Sequence, residues 1–118
     1  MSTRLAHKIV WRDTARQDLD ALAHIDLELV SAARQVVDDL AHHHIHGKQL
    51  GARHVSGDLT GLYRVCFDVT GERVQRFRLI YDKPAPDTVR IIALGPRAES
   101  AIYRLVAQRR ARGPEELP

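Results

Sequence analysis

The chain has 118 residues, of which 44% are hydrophobic and 28% are charged, and this composition excludes a disordered or low-complexity chain. Its length suits one domain with a modest core, so we predict a single domain over residues 1–118. The net charge is only +3, but residues 1–60 hold 7 lysines and arginines against 8 acidic residues, whereas residues 61–118 hold 11 against 7. A basic C-terminal half favours an anionic partner such as nucleic acid.

The single cysteine, Cys66, excludes an intrachain disulfide bond. No apolar run approaches the length of a membrane span, and the N-terminus lacks the apolar core of a signal peptide. We therefore expect a cytoplasmic protein without a membrane partner.

The N-terminal third predicts a strand and two helices. Residues 7–11 form a short strand candidate, after which Asp13 or Thr14 can cap a helix. The helical pattern breaks at residues 24–26, and a second helix is predicted from Leu27 to about His44. We expect the two helices to form a hairpin packed on one face of a sheet.

The histidines at positions 42–46 permit two interpretations. His42 and His46 are spaced i, i+4 and could share a metal ion, whereas adjacent imidazoles on a helix diverge. The favoured interpretation is an exposed helix end before Gly47, where cationic side chains suit the helix dipole. The cluster could also add pH-dependent positive charge. We predict no metal site and no cofactor.

Residues 48–60 read as a connector. Lys48, Arg53 and His54 could extend a phosphate-binding rim, although a solvated loop is the commoner explanation for such residues.

Two alternating stretches, 62–69 and 74–81, predict antiparallel strands. Apolar residues occupy every second position, and Gly71-Glu72 suits a tight hairpin because glycine supplies a positive φ. Pairing of these strands would place Arg64 and Arg78 on the same face of the sheet.

The last part of the chain predicts a third strand and a helix. Residues 82–87 are expected to interrupt the sheet because they contain two prolines, and residues 88–94 resume it. Gly95-Pro96 ends that strand, Arg97 follows, and a helix is predicted over residues 98–112. The tail at residues 113–118 is expected to fray.

The arginines on this sheet permit a functional and a structural interpretation. Guanidinium groups match phosphate oxygens, which favours a phosphate-binding surface. Alternatively the sheet face is solvated, with Arg64 and Arg78 paired to Asp68 or Glu72. Likewise, Tyr103 could be a core aromatic residue rather than a site residue.

The order of these elements and their motifs resembles the RelE/ParE superfamily of toxins from type II toxin–antitoxin systems. The motifs are Gly61-Leu62-Tyr63-Arg64-Val65, Phe77-Arg78-Leu79-Ile80-Tyr81, and Leu94-Gly95-Pro96-Arg97 through Tyr103. The resemblance covers about residues 8–110. It implies an α+β fold in which an N-terminal strand and a helical hairpin pack on an antiparallel sheet of about four strands, followed by a C-terminal helix.

The resemblance also implies a function and a site. The RelE branch resembles a ribosome-dependent ribonuclease, or mRNA interferase, that cleaves translated mRNA, whereas the ParE branch inhibits DNA gyrase without catalysis. The implied catalytic residues are Arg64, Arg78, Arg97 and Tyr103, and the implied RNA- and ribosome-binding residues are Lys48, Arg53, His54 and Arg76. The implied partners are the ribosome, mRNA and a cognate antitoxin.

One position departs from the RelE pattern. Two residues after the first basic position, where RelE-like sequences often have a lysine, this chain has Cys66. The departure bears on proton transfer and leaves a non-catalytic relative as the alternative. We expect a RelE-type ribonuclease that uses the RNA's own 2′-hydroxyl as the nucleophile, without a metal ion.

Overall fold

The computed structural model describes residues 5–51, 58–98 and 101–111. The elements follow the order β1 (Lys8–Trp11), α1 (Asp13–Ile25), α2 (Leu27–Ala41), β2 (Lys48–Gln49), β3 (Leu62–Phe67), β4 (Phe77–Ala85), β5 (Thr88–Pro96) and α3 (Ala101–Ala111). The strands form one sheet in the order β1-β5-β4-β3-β2. Of the four strand pairs in the described residues, β1–β5 is parallel and the other three are antiparallel. The predicted α+β class is confirmed, and the short strand β2 makes the sheet one strand wider than expected.

Helices cover both faces of the sheet, and each face has its own core. The α1–α2 hairpin packs on the face that carries Phe67, Phe77 and Leu79, as the alternation predicted. Helix α3 packs on the other face, against Leu62 and Ile80. The three predicted helices are therefore present and pack on the sheet. No helix in the described ranges is both long and apolar enough to cross a membrane.

The ends of the first two helices differ from the prediction. The N-cap of α1 is Arg12, which has extended backbone angles and makes no side-chain cap bond, so the expected cap at Asp13 or Thr14 is wrong. Asp13 instead lies in the first turn, where its charge suits the helix dipole. Helix α2 ends at Ala41 rather than near His44, because His43 adopts a left-handed backbone with φ of +63°.

Strand β4 continues where an interruption was expected. It runs through Pro84 to Ala85, and Ala85 pairs with Thr88 at the start of β5. Proline is tolerated there because β3 pairs with β4 only as far as Asp82, which leaves no partner on that side. The pairing of β4 with β5 shifts its register between Asp82, which pairs with Arg90, and Ala85, which pairs with Thr88.

The β3–β4 connection is longer than the predicted two-residue turn. Strand β3 ends at Phe67 and β4 begins at Phe77, so residues 68–76 form the connection. Gly71 has the expected positive φ, +95°. The register pairs Arg64 with Ile80 and Cys66 with Arg78, which confirms that Arg64 and Arg78 share one face of the sheet.

Candidate functional site

A cleft of about 440 Å³ opens on the α3 side of the sheet. The cleft is lined by β2 and the residues after it, by the paired strands β3 and β4, by the residue after β5, and by α3. The lining residues are Lys48, Gln49, Leu50, Gly51, Arg64, Arg78, Arg97 and Tyr103. The four residues that the sequence marks as catalytic therefore lie around one concave surface. Four cations, one of them Lys48, meet there.

Arg78 is the most buried of these cations, with 8% of its surface exposed. Its Nη1 donates to the carbonyl oxygens of Gln75 at 2.7 Å and Phe77 at 3.0 Å. Its buried Nε finds no hydrogen-bond acceptor in the described part of the chain. A buried charge without a counter-ion is costly, so an anion that enters the cleft would be bound favourably.

Arg64 lies beside Arg78 and contacts the thiol of Cys66. Its Nη1 donates to Cys66 Sγ at 2.9 Å. Lys48 is the cross-strand neighbour of Arg64 on β2 and is exposed. The alternative ion pairs of Arg64 and Arg78 with Asp68 or Glu72 do not form in the described residues. Arg76 pairs with both acidic residues instead.

Arg97 and Tyr103 complete the cleft from the last strand and helix. Arg97 is exposed, and its backbone N–H donates to the carbonyl oxygen of Arg76 at 2.9 Å. Tyr103 is only 7% exposed and packs with Ile80 and Val106. Tyr103 therefore belongs to the core of this face and also lines the cleft.

A mostly buried ion pair fastens α3 to α1 and β5. The Asp18 carboxylate accepts from Arg109 Nη1 at 2.9 Å and Nη2 at 3.0 Å, and from the Leu94 N–H at 3.0 Å. Arg109 also donates to the carbonyl oxygen of Ile92 at 2.8 Å. Because β1 pairs with β5 only as far as Ile91, these side chains satisfy backbone groups at a free strand edge. The pair thereby sets the position of α3.

Arg76, predicted to bind RNA, is held outside the cleft lining. Its guanidinium donates to Asp68 through Nε at 2.7 Å and Nη2 at 2.9 Å. These hydrogen bonds hold the pKa of Asp68 well below its ordinary value of 3.8, even though burial opposes the shift. Of the predicted rim residues, Lys48 lines the cleft, whereas Arg53 and His54 lie outside the described residues.

Tyr81 supports the cleft from behind, a role that the alternation pattern did not reveal. Its hydroxyl accepts from the Gly47 N–H at 2.9 Å, and its ring stacks on Tyr63 with centroids 5.1 Å apart. Burial raises the pKa of the Tyr81 phenol above its ordinary value of 10.0. The contact fixes the chain immediately before Lys48.

The histidines at the end of α2 make local contacts. His43 Nε2 lies 2.8 Å from the carbonyl oxygen of Leu5, and its ring centroid lies 4.3 Å from that of His7. His42 stacks on His44. Within the described ranges, no three histidine, cysteine or acidic side chains gather as a metal site.

Comparisons with known proteins show similarity at two levels. A family model described as "ParE toxin of type II toxin-antitoxin system, parDE" matches residues 9–101. Among solved structures, the fold is similar to the toxin–antitoxin complex RelBE2 from Mycobacterium tuberculosis, with a TM-score of 0.52 and 23% identity. That match covers 84% of this chain and 100% of the other. A search of curated proteins gives no match.

Proposed function

Because the chain belongs to the ParE toxin family of type II toxin–antitoxin systems, we propose that it is a toxin that cleaves translated mRNA on the ribosome. The family assignment leaves the target open, since toxins of this superfamily act on the ribosome or on DNA gyrase. The arrangement of the cleft favours the ribonuclease.

One observation carries this proposal: Arg64, Arg78, Arg97 and Tyr103 line the same cleft. They come from two paired strands, from the residue that follows a third strand, and from a helix. Arg78 is buried there without a carboxylate partner among the described residues. A phosphate group is an anion of suitable charge and geometry for such a site.

The chemistry we propose is attack of an RNA 2′-hydroxyl on the adjacent phosphate, which breaks the bond to the 5′-oxygen. The products are a 2′,3′-cyclic phosphate and a free 5′-hydroxyl. Arg78 and Arg97 would bind the phosphate and stabilise the added negative charge. Arg64 would position the strand or stabilise the leaving oxygen, and Tyr103 would stack on a base or accept a proton.

Proton transfer is the demanding step for this set of residues. Guanidinium groups do not give up their protons in proteins, so three arginines supply charge but no base. Cys66 takes the position of the basic residue in RelE-like sequences. We therefore propose a slow catalyst whose rate depends on the ribosome to hold the mRNA in the reactive geometry.

The test is primer extension on a reporter mRNA in a reconstituted translation system, with and without ribosomes. We expect cuts only with ribosomes and their loss in Arg97→Ala. Arg16→Ala is the matched control, because it removes the same charge from an exposed position on α1, against the ring of Trp11. Cleavage by Arg97→Ala at the rate of Arg16→Ala would refute the assigned role of the cleft.

A second candidate, inhibition of DNA gyrase without catalysis, has two observations in its favour. The matching family model describes a ParE toxin, and Cys66 replaces a basic residue. Growth inhibition that survives in the Arg97→Ala/Tyr103→Phe double variant, together with inhibition of gyrase supercoiling by purified protein, would select this candidate.

We also propose a cognate antitoxin as the partner. The similar fold occurs in a complex of toxin and antitoxin. The antitoxin would neutralise this chain by covering the cleft arginines or by displacing α3, and either route would remove Tyr103 or the cations from contact with RNA.

A further inference from the structure

The carboxylate of Asp68 is the most heavily hydrogen-bonded group in the β3–β4 connection. Oδ2 accepts from the Arg76 N–H at 3.0 Å and from Arg76 Nε at 2.7 Å. Oδ1 accepts from Arg76 Nη2 at 2.9 Å and from the Val69 N–H at 2.7 Å. The side chain of Asp68 is fully buried, whereas that of Arg76 is 56% exposed. One buried group therefore ties the two ends of the connection together.

The end of the connection that Asp68 holds is the part that contacts two cleft arginines. The carbonyl oxygen of Arg76 accepts from the Arg97 N–H at 2.9 Å. The carbonyl oxygen of Gln75, one residue earlier, accepts from Arg78 Nη1 at 2.7 Å. The same few residues thus fix the buried guanidinium of Arg78 and the backbone from which the Arg97 side chain extends.

We infer that Asp68 is a positioning residue for the cleft, acting on Arg78 and Arg97 through the carbonyl groups of Gln75 and Arg76. Asp68 does not line the cleft, so we assign it no contact with the RNA. Its part in catalysis rests on the proposed ribonuclease function, whereas its part in placing the arginines does not.

The physical reason lies in the accuracy that phosphate binding requires. Two guanidinium groups that stabilise one phosphate must hold their donors within hydrogen-bond distance of its oxygens, and an error of about 1 Å can cost roughly 100-fold in rate. The connection has no strand partner of its own between Phe67 and Phe77. Asp68 supplies the fixed point that a strand would otherwise provide.

The experiment compares Asp68→Asn with Asp82→Asn. Asp82 forms the matched pair, because it also binds an arginine eight residues away through two hydrogen bonds, to Arg90 Nε at 2.9 Å and Nη2 at 2.6 Å. That pair lies at the far end of β4 and does not line the cleft. Each variant removes one negative charge from an Asp–Arg pair.

The first readout is single-turnover cleavage of ribosome-bound mRNA. We expect Asp68→Asn to lower the maximal rate by about 10- to 100-fold, with the half-saturating toxin concentration changed by less than about threefold, because contact with the ribosome uses other surfaces as well. Asp82→Asn should change the rate by less than about twofold. Equal rates for the two folded variants would overturn the inference.

The second readout does not depend on activity. Hydrogen exchange should be faster at the Arg97 amide, and the Nε–H resonance of Arg78 should shift, in Asp68→Asn but not in Asp82→Asn. If Asp68→Asn fails to fold, Arg76→Lys keeps the charge and the backbone bond but loses the paired guanidinium bonds, and the same changes are expected at smaller size. Unchanged Arg97 and Arg78 signals would refute the positioning role, even if the wild-type protein proved not to cleave RNA.

Discussion

Gly47→Ala is a substitution for which the structure predicts the sign of the effect. Gly47 does not have a positive φ, so its backbone alone would accept alanine. At such positions the change commonly stabilises a protein by about 0.4–1 kcal/mol. Here a Cβ would lie 2.7 Å from Tyr81 Cε1 and Oη and 3.0 Å from Tyr63 Cβ. The contact therefore reverses the usual sign.

The magnitude follows from two costs. Tyr81 is 4% exposed and stacked on Tyr63, so it cannot move aside, and overpacking of this kind costs about 1–3 kcal/mol. Displacement of the Tyr81 hydroxyl also breaks its bond to the Gly47 N–H, which costs about 0.5–1.5 kcal/mol. We expect a loss of about 2–4 kcal/mol in the free energy of unfolding and a displaced Lys48.

Urea unfolding of three variants tests this reasoning. Tyr81→Phe alone should cost about 1 kcal/mol because it removes only the hydrogen bond. The double variant should cost less than the sum of the single variants, since the bond can be lost only once and the Oη contact is gone. Gly71→Ala gives the opposite case for comparison, because its φ of +95° strains the backbone of alanine while no atom lies within 4 Å of the added Cβ. A stabilised Gly47→Ala protein would refute the argument.

Three further predictions concern the ion pairs and the helix. Asp18→Asn breaks the mostly buried pair with Arg109, so we expect about 3 kcal/mol less stability by urea unfolding, with exposed Asp20→Asn as the control. Folding lowers the pKa of Asp68, so the ionised carboxylate contributes its full stabilisation well above pH 4 and loses it as the pH falls below about 4. The difference in unfolding free energy between wild type and Asp68→Asn should therefore shrink only in that acidic range. A difference that stays constant with pH would contradict this. Tyr103→Phe keeps the ring in the core, so we expect thermal unfolding to show a folded protein while single-turnover cleavage falls about tenfold or more. An unchanged rate would make Tyr103 purely structural.

Alternation is sufficient to predict the faces of the central strands. It predicts Arg64 and Arg78 on one face because side chains in paired strands alternate strictly, and the register confirms this. The family motifs added Arg97 and Tyr103, which periodicity alone could not have brought near the sheet.

The errors have local causes that depend on tertiary structure. Pro84 predicts an interruption because a central strand cannot use proline, but β4 has no partner strand on one side beyond Asp82. The alternation predicts a strand up to residue 69, whereas β3 ends at Phe67 and the carboxylate of Asp68 binds Arg76. Which acidic residue pairs with a given arginine depends on where the strands end, and the alternation of apolar and polar residues does not determine that.

In the proposed reaction, the cleft promotes attack by an RNA 2′-hydroxyl. Ribosomes stalled on mRNA that carries a single 2′-deoxynucleotide at the position of cleavage test this step. We predict no cut at that position, retained cuts in an mRNA with the 2′-deoxynucleotide three positions upstream, and products of the native mRNA that end in a 2′,3′-cyclic phosphate. Cleavage at the 2′-deoxy position, or intact native mRNA alongside inhibited gyrase, would refute the proposed mechanism.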